Sequence, residues 1–167
     1  QKKGMLKMAK VTETLYKENA HIGFRNFSGI KSERNRNGDR QFTLILDDLE
    51  EAQMYKDMGW DVYFRTPQSD PDAEQYGVIY VTDRFDVIPP EIYKVCNGNA
   101  VQLNEHTVGQ LDKDRIVHVD LELSPYNGNH QDGSPKVTAY LKTMYVTIAP
   151  NRFADKYAHL NYVTDED

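Results

Sequence analysis

Arg115-Ile-Val-His-Val-Asp-Leu-Glu-Leu123 and Lys136-Val-Thr-Ala-Tyr-Leu-Lys-Thr-Met-Tyr-Val-Thr-Ile148 decide the fold class. The first alternates, setting Val117, Val119, Leu121 and Leu123 inward. The second is a run of Thr, Tyr, Val and Ile, side chains that suit a pleated, half-buried surface. Tyr126–Pro135, with two glycines and two asparagines, joins them into a long hairpin with a flexible tip.

The same signals extend toward the N-terminus. Tyr76–Phe85 reads as a strand ended by Pro89-Pro90, Glu91–Leu103 as a small hairpin around Asn97-Gly98, and Asn104–Leu111 as one helical turn. Thr66–Gln75 is a surface loop. Before it, Trp60–Arg65 alternates, with Trp60, Val62 and Phe64 on one side and Tyr63 and Arg65 on the other. Asp48 sits at an N-cap position, Glu51 completes a capping box and Gly59 marks the end, which predicts a short helix between them. Gln41–Asp47 and His21–Phe27 are strands flanking a basic loop, Ser28–Asp39. Past Pro150 the pattern predicts a short helix over Arg152–Ala158 and then a tail.

The resulting class is mainly β: an OB-fold-like five-stranded antiparallel barrel with an extra hairpin and one or two short helices. A two-sheet sandwich is the second choice. The expected division is a basic N-terminal segment (1–19), the barrel (20–150) and a C-terminal short helix with an acidic tail (151–167). The length, 167 residues and 19.3 kDa, suits one domain.

Composition narrows function. Cys96 is the single cysteine, so neither an internal disulfide nor a multi-cysteine zinc site can form, and a reducing cytoplasmic compartment is expected. No apolar run approaches the roughly 20 residues needed to cross a bilayer, so no membrane partner is expected. The five histidines follow no metal-binding spacing, and neither a phosphate-binding glycine loop nor a nucleophile elbow occurs. Asp47, Asp48, Glu50 and Glu51 have a sufficient explanation at a helix start. No catalytic residue, metal or other cofactor is therefore expected.

Charge is unevenly placed. The net charge is -6, yet residues 1–40 hold ten Lys or Arg against four acids, leaving -12 on the rest. The cations concentrate in Lys31-Ser-Glu-Arg34-Asn-Arg36-Asn-Gly38-Asp-Arg40. Such a loop is either simply solvated or a phosphate-binding surface, and its shortage of competing acids favours the second. Eleven of the eighteen aromatic residues are Tyr, which suits surfaces that are partly apolar and partly wet. Tyr63 with Arg65, and Tyr140 with Lys142, each place a ring and a cation on one strand face. Cross-strand packing is the competing explanation. In Phe24-Arg25-Asn26-Phe27, an outward Arg25 brings Phe27 with it, so Phe27 is expected as a stacking platform and Phe24 as core.

Several spaced anchors resemble bacteriophage-encoded OB-fold single-stranded DNA-binding proteins. They are Phe24-x-Asn-Phe-Ser-Gly29, Asn35-x-x-Gly-x-Arg-x-Phe42, Gly59-Trp-x-Val62, Arg84-Phe85, Pro89-Pro-x-Ile92 and Tyr140-Leu-Lys-Thr-Met-Tyr-Val-Thr147, covering roughly residues 20–158. The resemblance implies sequence-independent coating of single strands in phage replication or recombination, in the host cytoplasm. It also implies recruitment of replication or recombination proteins by an acidic C-terminus, here Asp165-Glu166-Asp167. The expected site has Arg25, Lys31, Arg34, Arg36, Arg40, Arg65 and Lys142 on phosphates and Phe27, Tyr63, Tyr126 and Tyr140 under bases. The alternatives are a protein-binding or virion structural module with a Tyr-rich face, and a magnesium-dependent DNA-processing enzyme.

Overall fold

In the computed structural model, residues 10–150, Phe153, Lys156, Tyr157 and Leu160 are described. The expected Arg152–Ala158 helix falls largely outside these residues. The segment before Lys10 and the acidic end lie wholly outside them.

The chain begins with two short strands, β1 (Leu15–Lys17) and β2 (His21–Asn26), joined through Glu18–Ala20. They behave as one bent strand with a partner on each side. β3 (Gln41–Leu46) pairs antiparallel with β2 and is followed by α1 (Leu49–Asp57). β4 (Tyr63–Arg65) pairs with β5 (Tyr76–Thr82), and β6 (Glu91–Cys96) turns tightly into β7 (Asn99–Leu103). A 3-10 turn (Val108–Asp112) leads into the long hairpin of β8 (Ile116–Asn129) and β9 (Pro135–Ile148).

The ladder runs β1-β8-β9-β5-β3-β2, with β5 and β9 parallel and the other neighbours on that path antiparallel. It does not close as a ladder. Its two ends are consecutive in the chain, however, and the Ala20 amide donates to the Val119 carbonyl at 2.7 Å where they meet. With β1 and β2 as one strand, this is the five-stranded OB-fold order, and β4 and the β6–β7 hairpin are additions.

Alternation fills the interior. Phe42, Leu44 and Leu46 from β3 meet Ile79 and Val81 from β5 and Leu121, Leu123, Leu141 and Met144 from the hairpin, all 2% exposed or less. Full burial of such a side chain stabilises by about 1.5–3 kcal/mol. α1 seals one end with Ala52 and Tyr55, and Trp60 is buried behind it.

The sequence reading needs several adjustments. β8 continues through Asn129, so only His130–Ser134 remains as the tip. Proline is tolerated at position 125 because β1 covers β8 only at Leu121–Leu123, leaving an edge beyond. Val117 is 56% exposed rather than inward, at a register shift between Ile116 and His118. Trp60 and Val62 are buried but precede the strand, which spans only Tyr63–Arg65. Asp48 caps α1 by accepting from the Glu50 and Glu51 amides, whereas the Glu51 carboxylate leaves the cap to pair with Lys17 at 2.9 Å. Val11 and Leu15, placed by sequence in the N-terminal segment, belong to the core.

Candidate nucleic-acid interface

Core alternation on β3 and β5 obliges their other residues to form an outer face. Gln41, Thr43 and Ile45 stand opposite Thr82, Tyr80 and Val78. β4 adds Tyr63 and Arg65 opposite Val78 and Tyr76, and on the other flank Thr82 adjoins Tyr140 of β9. Tyr126 then pairs with Thr138 across the hairpin. This face lies between the loop joining β2 to β3 and the β8–β9 tip, the two loops that frame oligonucleotide sites in this fold.

Three groups of rings cross the face. Tyr63 and Tyr80 lie 5.5 Å apart by centroid, and Tyr126 meets Tyr140 edge-on at 6.2 Å. Phe24 supplies the third, 84% exposed. Its φ of 50° falls where the β2–β3 register shifts between Gly23 and Asn26, a bulge that turns the ring outward. A groove of about 520 Å³ over the face is lined by Phe24, Arg34, Thr43, Arg65, Tyr76 and Tyr80, among others.

Cations sit beside the rings. Arg65 donates from Nη2 to the Tyr80 hydroxyl at 2.8 Å, and its guanidinium lies 5.4 Å from the Tyr63 ring centroid. Burial, and then Asp61 and Tyr80, push the Tyr63 phenol up in pKa against the opposing pull of Arg65, so this ring is neutral at neutral pH. Lys31, Arg34 and Arg36 are exposed on the basic loop. Asn35 holds that loop from inside: its side chain donates to the Ile30 and Asp39 carbonyls and accepts from the Asp39 amide.

The structure thus brings together Tyr63, Arg65, Tyr126 and Tyr140 on one face, with Arg34 lining its groove and Lys31 and Arg36 exposed on the same loop as Arg34. Four expected site residues lie elsewhere. Phe27 is fully buried, 5.3 Å from Phe42, because the bulge at Phe24 reverses the expected pair of rings. Arg25 spans from β2 to the 3-10 turn, donating to the Leu111 and Asp114 carbonyls. Arg40 is half-buried under the loop, donating to the Phe27 carbonyl, with its guanidinium 5.8 Å from the centroid of the Phe85 ring. Lys142 is exposed but sits in the bulge between Leu141 and Thr143, outside the groove.

Sequence reasoning missed Phe24, Tyr76 and Tyr80. The signal for the tyrosines was present: Tyr76, Val78, Tyr80 and Thr82 alternate with Gly77, Ile79 and Val81. Nothing in the sequence announced the positive φ at Phe24. Of the four acids at the start of α1, three have other partners: Asp47 pairs with His21 at 2.9 Å, Asp48 caps α1 and Glu51 holds Lys17. Among the described residues no three His, Cys, Asp or Glu side chains converge as metal ligands, and no helix is long and apolar enough to cross a membrane.

Comparison with known proteins agrees with the geometry. The family model described as "Putative phage ssDNA-binding domain" matches residues 5–167. Among solved structures, the single-stranded DNA-binding protein from bacteriophage Enc34 in complex with ssDNA is similar at a TM-score of 0.53, with 10% identity over 84% of this chain and 89% of that one. A second structure of the Enc34 protein gives 0.51, with 11% identity over 89% and 87%. At such identities the likeness bears on the fold alone. No curated protein matches. The family match spans nearly the whole sequence, so the chain belongs to the phage single-stranded DNA-binding domain family, and single-stranded DNA is its ligand.

Proposed function

We propose that the β3–β5 face binds single-stranded DNA without regard to sequence and protects displaced strands in phage replication or recombination. The observation that carries this reading is the line of rings, exposed Phe24, Tyr80 with Tyr63, and Tyr126 with half-buried Tyr140, flanked by the cations of the basic loop and Arg65. Every base has a π face, so stacking on such rings tolerates any sequence and is worth about 1–3 kcal/mol per base. Phosphates fall to Lys31, Arg34, Arg36 and Arg65. Catalysis has no part in this role. The host cytoplasm is where the protein would meet phage DNA, and the acidic C-terminus is proposed to recruit replication or recombination proteins.

Fluorescence anisotropy of labelled oligo-dT at several salt concentrations tests the reading. The expected log affinity falls linearly with log salt, with a slope near -0.7 for each phosphate neutralised. Absence of oligonucleotide binding at low salt would remove the proposal and leave the Tyr-rich face to a protein partner.

A further inference from the structure

Beyond Tyr63 the ringed face does not stop at a wall. A smaller cavity of about 260 Å³ follows the main groove, sharing Tyr80 and Thr82 with it. It shares Asp61, Tyr63, Lys136 and Val137 in turn with a cleft of about 680 Å³ between the end of α1 and the stem of the β8–β9 hairpin. Shared lining residues thus set the three spaces in series.

The far cleft has the chemistry of an anion path. Lys10, Lys56 and Lys136 line it, all exposed, and none has an ion pair among the described residues. Against them stand two carboxylates, Asp57, which accepts from the Gln53 side chain, and Asp61, which accepts from the Val137 amide, so cations remain in excess. The negative end of α1 is muted, since the Met54, Tyr55 and Lys56 carbonyls accept from the Met58, Trp60 and Gly59 amides. Trp60 lies along the cleft, 2% exposed, and its Nε1–H has no acceptor among the described residues.

We propose that the bound strand leaves the ringed face past Tyr63 and continues through this cleft, with Lys56 and Lys136 on phosphates two or more nucleotides beyond the last stacked base. Continuity with the face favours nucleic acid over an acidic protein segment, because Tyr63 and Lys136 border both the far cleft and the small cavity, and that cavity shares Tyr80 and Thr82 with the groove on the face. The inference rests on the DNA-binding reading of the face and adds a direction and a longer footprint to it.

A Lys56→Ala/Lys136→Ala double variant of the full chain tests it, with dT oligomers spanning about 4 to 16 nucleotides, the usual range of site sizes for this fold. Both lysines are exposed, so the variant should fold as the parent does. The shortest oligomer is expected to bind parent and variant alike. The longest is expected to lose on the order of tenfold, with the salt slope reduced by about 1.4 for two phosphate contacts. Trp60, the only tryptophan, should change emission with long oligomers and not with short ones. Equal affinity and slope at every length would overturn the route, as would an equal loss at every length. A poly-glutamate peptide that binds the parent but not the variant, while long dT binds both equally, would assign the cleft to acidic protein instead. A parent that binds no oligomer at all would overturn the DNA reading of the face itself.

Discussion

Phe24 stands on the surface at a φ of 50°, while Phe27, three positions on, is fully buried against Phe42. Phe24→Ala is therefore expected to weaken oligo-dT binding by about 1–3 kcal/mol while leaving the urea midpoint unchanged or raised. Phe27→Ala should cost about 3–5 kcal/mol of stability. The reverse pattern in titration and urea unfolding would contradict the site. Sequence alone assigned these rings the other way round, because strict period two is the only rule available until a bulge is visible. Asp83 carries a second prediction at this scale. It is 1% exposed, and neither carboxylate oxygen has a hydrogen-bond partner among the described residues. Burial pushes its pKa up to about 7 despite the opposing pull of Arg40. The folded state then holds a proton that the unfolded chain releases near pH 4. The associated stability is complete below about pH 4 and is lost as pH rises through about 7. Asp83→Asn should thus gain on the parent between pH 5 and 8, by roughly 1–3 kcal/mol at the upper end. A gain that does not vary with pH in thermal unfolding would show that the group is not protonated as described.

The basic loop shows what an element adds to its residues. Its cations and glycines were plain in the sequence, and Lys31, Arg34 and Arg36 do end up exposed, with Arg34 lining the groove. What composition could not reveal is how the loop is held. Asn35 is 7% exposed and makes three hydrogen bonds to the loop backbone, and a small bridge joins Ser32 to Asn35. At its feet Gly29 and Gly38, both at φ 70°, pack backbone to backbone, and a Cβ on Gly29 would come within 2.7 Å of the Gly38 carbonyl oxygen. Asn35→Ala removes no charge, yet it leaves the half-buried Asp39 amide and carbonyl without their partner, at about 1 kcal/mol or more. It is expected to loosen the loop, speed amide exchange at Asp39 and reduce oligo-dT affinity several-fold. Unchanged exchange and affinity would mean that the loop's order does not matter to binding. The hairpin offers the complementary case: its alternation was legible, but Gly128 and Asn127 disguised the end of β8 as loop. Asn127 in fact stands in for a neighbouring strand, its side chain exchanging two hydrogen bonds with the Val11 backbone.

Across the whole molecule, the ladder's open ends make closure the weak point, and the 3-10 turn supplies much of it. Arg25 donates at 2.6 and 2.8 Å to the Leu111 and Asp114 carbonyls, and the Asp112 carboxylate accepts from the Phe27 and Ser28 amides at 2.6 and 2.9 Å. The two residues clamp the end of β2 to the segment that feeds β8, two parts of the chain more than eighty residues apart. Charge-assisted bonds of this kind contribute about 1.5–3 kcal/mol, and each leaves half-buried groups unpaired when removed. An arginine in a cation-rich stretch reads from sequence as a phosphate ligand, and only the topology shows that its partner is the turn. The two roles separate in one experiment. If Arg25 closes the barrel, Arg25→Ala lowers the unfolding free energy by about 2–3 kcal/mol. Its oligo-dT salt slope then matches the parent at temperatures where both are folded. If Arg25 bound phosphate, stability would hold and the slope would fall by about 0.7. Closure also keeps the groove in shape, since β2 carries Phe24 as well as Arg25. Near its own unfolding transition the Arg25→Ala protein should therefore lose oligo-dT binding at the same denaturant concentration at which the β2 amides lose protection, before the hairpin amides do.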